Sequence, residues 1–320
     1  MPGINDWKTV IGEFHSQKMI KQKRRNSTMK SNRNRAIIFA ILAAALYALN
    51  SPVSKLLLNK IPTTMMAALL YLGAGSGLSV VGFIQKKAGI VQKELPLTKK
   101  ELPYTIAMVV LDILAPIFLM IGLSKTTAAN ASLLNNFEIV ATSVFALVVF
   151  KEVISKRLWI GIGLVTLSSM ILSVEDMNSF SFSIGSVFVL LACICWGIEN
   201  NCTRMLSNKN PLQIVVIKGF GSGLGSLMIA ILIGQTTTAV GYILATLLVG
   251  FVAYGLSIFF YVYAQRELGA AKTSSYYAVA PFIGVAFSLI IFWETPSLNF
   301  LVALMIMILG TYFVSTDNAD

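Results

Sequence analysis

Residues 122–152 (GLSKTTAANASLLNNFEIVATSVFALVVFKE) and 264–294 (AQRELGAAKTSSYYAVAPFIGVAFSLIIFWE) lie over one another without a gap at a spacing of 142 residues. Ala128 and Ala129 fall on Ala270 and Ala271, Ser132 on Ser274, Phe145 on Phe287, Phe150 on Phe292 and Glu152 on Glu294. The chain is therefore two copies of one unit. Hydrophobic stretches of about 20 residues, long enough to cross a hydrocarbon core of about 30 Å, recur along it. They lie near 36–58, 63–85, 103–123, 128–150, 157–174, 184–206, 211–234, 240–265, 270–293 and 298–315, and are called spans 1 to 10 below. Each copy holds an odd number of spans, so the second must enter the bilayer upside down relative to the first. The fold class expected is all-α integral membrane: ten transmembrane helices as two inverted five-helix repeats, 36–174 and 184–315. That is the architecture of alternating-access transporters.

Composition agrees. With 56% hydrophobic and 12% charged residues and a mean hydropathy of +0.76, the chain has too few charges to cover a soluble core of this size. Connections are short, and the only sizeable one within the bundle, 86–102, is too small to hide a soluble catalytic domain. Basic residues collect on alternate loops: nine in the segment through Arg35, then Lys86, Lys87, Lys93, Lys99 and Lys100, then Lys151, Lys156 and Arg157, with Lys209 and Arg266 later. The intervening loops hold Lys60 and Lys125 beside acids such as Glu175 and Asp176. The positive-inside rule then puts both termini in the cytoplasm, in a multi-pass protein of the cytoplasmic membrane. The net charge of +11 calls for anionic lipid against the basic tail 1–35 rather than for a nucleic-acid partner.

Several chemistries find no support in the chain. Met29, followed by KSNRNR and the first span, resembles a natural start, so 1–28 reads as an upstream extension or a regulatory tail; no cleavable signal peptide is evident. The lone histidine, His15, is in that tail, and Cys193, Cys195 and Cys202 share one span, giving neither a disulfide framework nor metal-ligand spacing. No cofactor is expected. There is no HExxH, GxSxG or Walker motif, so an intramembrane enzyme is a remote alternative. Tyr47–Pro62 overlays Trp196–Pro211, with Lys55 on Arg204 and Asn59 on Asn208. Gly73, Gly75 and Gly77 match Gly221, Gly223 and Gly225 after a one-residue shift; inside apolar spans, such glycines serve close helix packing rather than a nucleotide.

The paired five-span repeats, each closing its fourth span with an apolar run and Glu (FALVVFKE and FSLIIFWE), resemble the drug/metabolite transporter superfamily, in its EamA-like ten-helix branch. The resemblance covers about residues 36–315. It implies a central cavity between inverted halves, lined by spans 1, 3, 4, 6, 8 and 9, and export or facilitated passage without ATP. The family's Glu-Pro or Asn-Pro in span 4 is divided here: Glu138 is followed by Ile139, and Pro281 stands in the second copy without the acid.

Ionisable groups near a helix centre cost about 2.5–3.5 kcal/mol on insertion scales, so those that persist have a partner or a cavity. Asp112, Glu138, Glu199 and Lys218 are such groups; Lys55, Arg204 and Lys272 lie nearer span ends and read as interface anchors. Trp196, Glu199, Asn200 and Thr203 share one face of span 6, and Tyr47, Asn50, Ser51 and Ser54 the equivalent face of span 1. Asn135, Glu138 and Thr142 form a stripe on span 4, with Tyr276 and Tyr277 at the corresponding place on span 9. These residues either contact substrate, where aromatic faces suit an organic cation, or hold the bundle by interhelical hydrogen bonds. A surplus of acid over base disfavours phosphate esters and dicarboxylates. The expected function is secondary transport of a small polar, cationic or zwitterionic metabolite, amino-acid-like or amine-like. The direction expected is export by a monomer or weak homodimer, and a buried carboxyl can trade a proton for substrate. An uncoupled facilitator of the same fold is the alternative.

Overall fold

A computed structural model of the chain describes residues 34–89, 95–151, 155–176, 181–206, 209–268, 273 and 276–316. The tail before Asn34, Lys93, Ser179 and Lys272 lie outside the described residues. Among the described residues nine helices are long and apolar enough to cross a bilayer: Asn34–Leu57, Thr63–Lys87, Lys99–Lys125, Ala128–Val149, Lys156–Ser173, Ile184–Leu206, Pro211–Leu232, Val240–Ala264 and Leu298–Ser315. The shorter apolar helix Ala280–Phe292 belongs to span 9, completing ten. A two-stranded antiparallel ribbon, β1 (Val174–Asp176) with β2 (Ser181–Phe182), is added where the halves join. Large apolar side chains such as Leu232, Val148 and Ile290 point outward, a surface that only lipid would cover favourably.

Local chemistry sets the helix ends. Thr127, Ser155, Asn210 and Ser297 cap spans 4, 5, 7 and 10, each accepting a backbone N–H that the first turn leaves unpaired. Pro211 starts span 7, where its missing N–H costs nothing.

The duplication is visible in the backbone. Among the described residues Lys151 and Trp293, 142 residues apart, are the non-glycine residues with positive φ, at 55° and 52°, and each closes the fourth span of its half in a left-handed turn. Ser155 caps Leu158, and Ser297, at the same spacing, caps Phe300. Spans 5 and 10 meet through two mutually related contacts. A Cβ on Gly161 would lie 3.0 Å from the Gly310 carbonyl, and Ser168 donates to the Ala303 carbonyl at 2.6 Å. Spans 2 and 7, also counterparts, run antiparallel: Leu72 faces Gly223, Gly75 faces Gly219 and Gly82 faces Leu212. Equivalent helices pointing in opposite directions make the repeats inverted.

The alternating glycines pack. A Cβ on Gly219 would fall 2.4 Å from the Gly75 nitrogen and one on Gly73 2.1 Å from the Leu247 oxygen, both backbone atoms, so only glycine allows the helices this close there; one on Gly225 would fall 2.3 Å from the Ile113 side chain, which can turn aside.

Candidate functional site

Three spans lose their regular helix at mid-depth. In span 1 the helix is interrupted at Leu49; Pro52 has no N–H to offer the Ala48 carbonyl. Span 4 divides into Ala128–Leu134 and Phe137–Phe150 around Asn135 and Asn136, poor helix formers whose carbonyls accept tight bonds from Glu138 and Ile139 at 3.1 Å each. Span 9 turns at 278–279, just before Ala280–Phe292 and its Pro281. Span 8 widens into a π-helix at Gly250–Leu256. Irregular backbone at this depth is tolerated only where protein or a cavity covers it.

Around these breaks lies an aromatic and amide cluster. Tyr47 meets the Tyr254 and Tyr277 rings, both with centroids at 5.9 Å, and Tyr71 meets Tyr254 at 5.1 Å. Asn50 donates its Nδ2 to the Tyr254 hydroxyl at 3.1 Å and accepts at Oδ1 from Ser54 at 3.1 Å. Tyr277 lies 3.4 Å, oxygen to oxygen, from Ser257, which donates to the Ala43 carbonyl. Asn135 is buried at the span 4 break, 4.0 Å from the Cys193 sulfur.

Glu138 opens the second half of span 4 and accepts from Asn200 Nδ2 at 2.6 Å; the same amide reaches Thr142 at 3.3 Å. Among the described residues no cation is ion-paired to this carboxylate.

The other buried charges gather in one group. The Lys218 ammonium lies 3.0 Å from Glu199 Oε1 and 3.2 Å from Asp112 Oδ2. Thr203, one turn beyond Glu199, donates to the same Oε1, and Tyr71 donates to Asp112 Oδ1 at 2.8 Å. Spans 2, 3, 6 and 7 each supply a member, since spans 3 and 6 pack along their length as do spans 2 and 7.

The structure thus brings Tyr47, Asn50 and Tyr277 together, joins Glu138 to Asn200, and joins Glu199, Lys218 and Asp112. Trp196, the counterpart of Tyr47, is buried in the apolar core, and Tyr276 is half-buried beside Tyr277 and has no ring contact among the described residues. Lys55 does more than anchor at the interface: its ammonium caps span 3 through the Leu123 and Thr126 carbonyls at 2.5 and 2.6 Å. Tyr71 and Tyr254 escaped the sequence reading. Tyr254 stands 142 residues after Asp112, the repeat spacing, so the overlay extended to span 3 points to it.

The sequence model of the EamA-like transporter family matches residues 34–174 and again 183–316. An uncharacterized transporter of Methanothermobacter thermautotrophicus is 27% identical over 210 residues, which is 63% of this chain and 61% of that protein, so the match spans less than two thirds of the relative's length. The crystal structure of another protein superimposes on 88% of this chain and 95% of its own, with a TM-score of 0.63 and 14% identity, a likeness of fold.

Proposed function

The chain belongs to the EamA-like transporter family, and on that premise we propose that it is a secondary transporter of a small cationic or zwitterionic metabolite, amine-like or amino-acid-like. The observation that carries the substrate class is Glu138: a mid-membrane carboxylate held by the neutral Asn200 amide and ion-paired to no cation among the described residues. It sits in the same layer as the span breaks and the tyrosines. An ammonium group would supply the missing charge, while the faces of Tyr47 and Tyr277 would attract the rest of a cation. Discontinuous helices beside a midplane site are the usual arrangement in inverted-repeat transporters.

In this reading the substrate contacts come from Tyr47, Asn50, Asn135, Glu138, Asn200 and Tyr277, with Trp196 and Tyr276 flanking them. Asp112, Glu199 and Lys218 control access and coupling. The repeats 36–174 and 184–315 rock against one another, and the tail 1–35 lies on anionic lipid. Loop charge favours both termini inside a cytoplasmic membrane, with the protein exporting its substrate in exchange for protons as a monomer or weak homodimer.

The test is metabolite profiling of cells with and without the protein, then uptake of the compounds that change into proteoliposomes under an imposed pH gradient. Uptake of amines or amino acids that responds to the gradient and is lost in Glu138→Gln supports the reading. Uptake indifferent to the gradient makes the protein a facilitator, and uptake confined to anions overturns the substrate class.

A further inference from the structure

We propose that Asp112, Glu199 and Lys218 form a binding site for a single proton, distinct from the Glu138–Asn200 pair. The proposal deepens the transport reading above, on which its coupling role rests, by saying where the exchanged proton resides.

The charges at the site do not balance. Two carboxylates share one ammonium at 3.2 and 3.0 Å, and the three residues are 0%, 1% and 7% exposed, so solvent offers the surplus negative charge little relief. Among the described residues Lys218 is the only cation ion-paired to either acid. The other groups in electrostatic reach of the two acids do not help: Tyr71 from span 2, Tyr254 from span 8 and Cys195 and Cys202 from span 6 are neutral when protonated. Glu138 from span 4 adds a further acid. An uncompensated buried charge is strongly disfavoured, and one proton removes it.

The two acids are held by different neighbours. Asp112 Oδ1 accepts from Tyr71 and Glu199 Oε1 accepts from Thr203, while Asp112 Oδ2 is buried and faces the Lys218 ammonium at 3.2 Å. A proton taken from water onto either carboxylate makes a neutral acid and leaves the ammonium paired with the other, and its release to water restores the ion. No other bond is made or broken.

The inverted repeat supplies an internal control. At its spacings, Asn50 corresponds to Glu199, Ser54 to Thr203 and Tyr254 to Asp112. In that half Ser54 donates to Asn50, and Asn50 donates directly to Tyr254 at 3.1 Å, without any charge. The scaffold therefore closes this helix contact with neutral groups, so the ions in the other half are not a packing requirement. Tyr71 connects the two sites: its hydroxyl is on Asp112 and its ring lies against Tyr254. Protonating Asp112 weakens the acceptor that holds Tyr71, and the change is felt in the cluster around Asn50.

The proton can be observed directly by infrared titration of the full-length protein in phosphatidylcholine bilayers, with carboxyl-13C aspartate or glutamate to assign bands. The wild type should show a protonated-carboxyl stretch that disappears on alkaline titration and shifts with one of the labels. Asp112→Asn and Glu199→Gln should each abolish it, because one acid and one base then balance. Glu138→Gln should leave it in place, and Lys218→Met should enlarge it. A wild-type protein with no titrating carboxyl band, or a sole band that vanishes in Glu138→Gln, overturns the proposal; this arm stands even if the Asp112 and Glu199 variants fail to fold. Proteoliposome uptake indifferent to a pH gradient, with the band intact, supports the proton site and removes proton coupling from the transport reading instead.

Discussion

The Asn200 side-chain amide donates to Glu138 Oε1 at 2.6 Å, linking span 6 to the broken middle of span 4. Its donor is neutral, so the carboxylate can offer its charge to a visiting cation. Glu138→Gln keeps the shape and a hydrogen-bonding group but removes the charge. A hydrogen bond to a charged group is worth about 1.5–3 kcal/mol, so KM for the substrate should rise by about tenfold or more while the thermal midpoint changes little. Asn200→Ala should have a smaller effect of the same sign. Transport by Glu138→Gln at unchanged KM would remove this residue from the substrate site.

The ion-pair group predicts an asymmetry. Removing Glu199 leaves Lys218 with Asp112, and removing Asp112 leaves it with Glu199, so Glu199→Gln and Asp112→Asn should cost little stability. Lys218→Met leaves two buried acids with no base and should cost about 3–5 kcal/mol, the scale for breaking a buried pair. Adding both acid substitutions to Lys218→Met should restore most of that loss. Thermal unfolding of the single variants and the triple variant in one detergent measures this; additive effects would mean the three residues do not interact.

How much of this was legible in the sequence depends on how local the cause is. Span length and the 142-residue overlay are properties of contiguous segments, and they suffice for ten helices and an inverted pair. The approach of Glu199 to Lys218 also follows from rise per residue in two consecutive spans joined by a short turn. Asp112 as their third partner does not, because it requires knowing that span 3 packs on span 6, and no periodicity within one helix encodes the identity of its neighbour. Tyr71 was hidden for the same reason, whereas Tyr254 lay within reach of the repeat spacing from Asp112. The π-helix at Gly250–Leu256 contains Gly250 and Gly255 but no proline, and glycines in an apolar span read equally as close packing; the left-handed Lys151 and Trp293 are not glycine, so nothing in the sequence marks those two turns.

Orientation can be tested from the loops. In a cysteine-free background, single cysteines at Lys60, Ser179 and Thr237 should label with a membrane-impermeant reagent in intact cells, and one at Lys93 should not. Lys60 and Thr237 lie at the end of the bundle opposite to Asn34, beside the Thr64–Gln235 hydrogen bond that ties spans 2 and 7 together. Labelling at Lys93 in sealed, right-side-out cells would reverse the assignment drawn from loop charge.

The closest helix approaches should be the least tolerant of a methyl group. A Cβ on Gly250 would sit 2.0 Å from the Leu70 carbonyl oxygen, and one on Gly73 2.1 Å from that of Leu247; both obstacles are backbone, which cannot swing aside as a side chain can. Gly163 and Gly241 are also helical, but a Cβ on either would meet nothing within 4 Å. Overpacking costs about 1–3 kcal/mol where neighbours can adjust and more where they cannot. In the control positions alanine should be neutral or stabilising by a few tenths to about 1 kcal/mol. Gly73→Ala and Gly250→Ala should therefore lower the thermal midpoint and the yield of folded protein, while Gly163→Ala and Gly241→Ala should not. Equal behaviour of all four would mean that spans 2 and 8 do not approach as closely as the backbone describes.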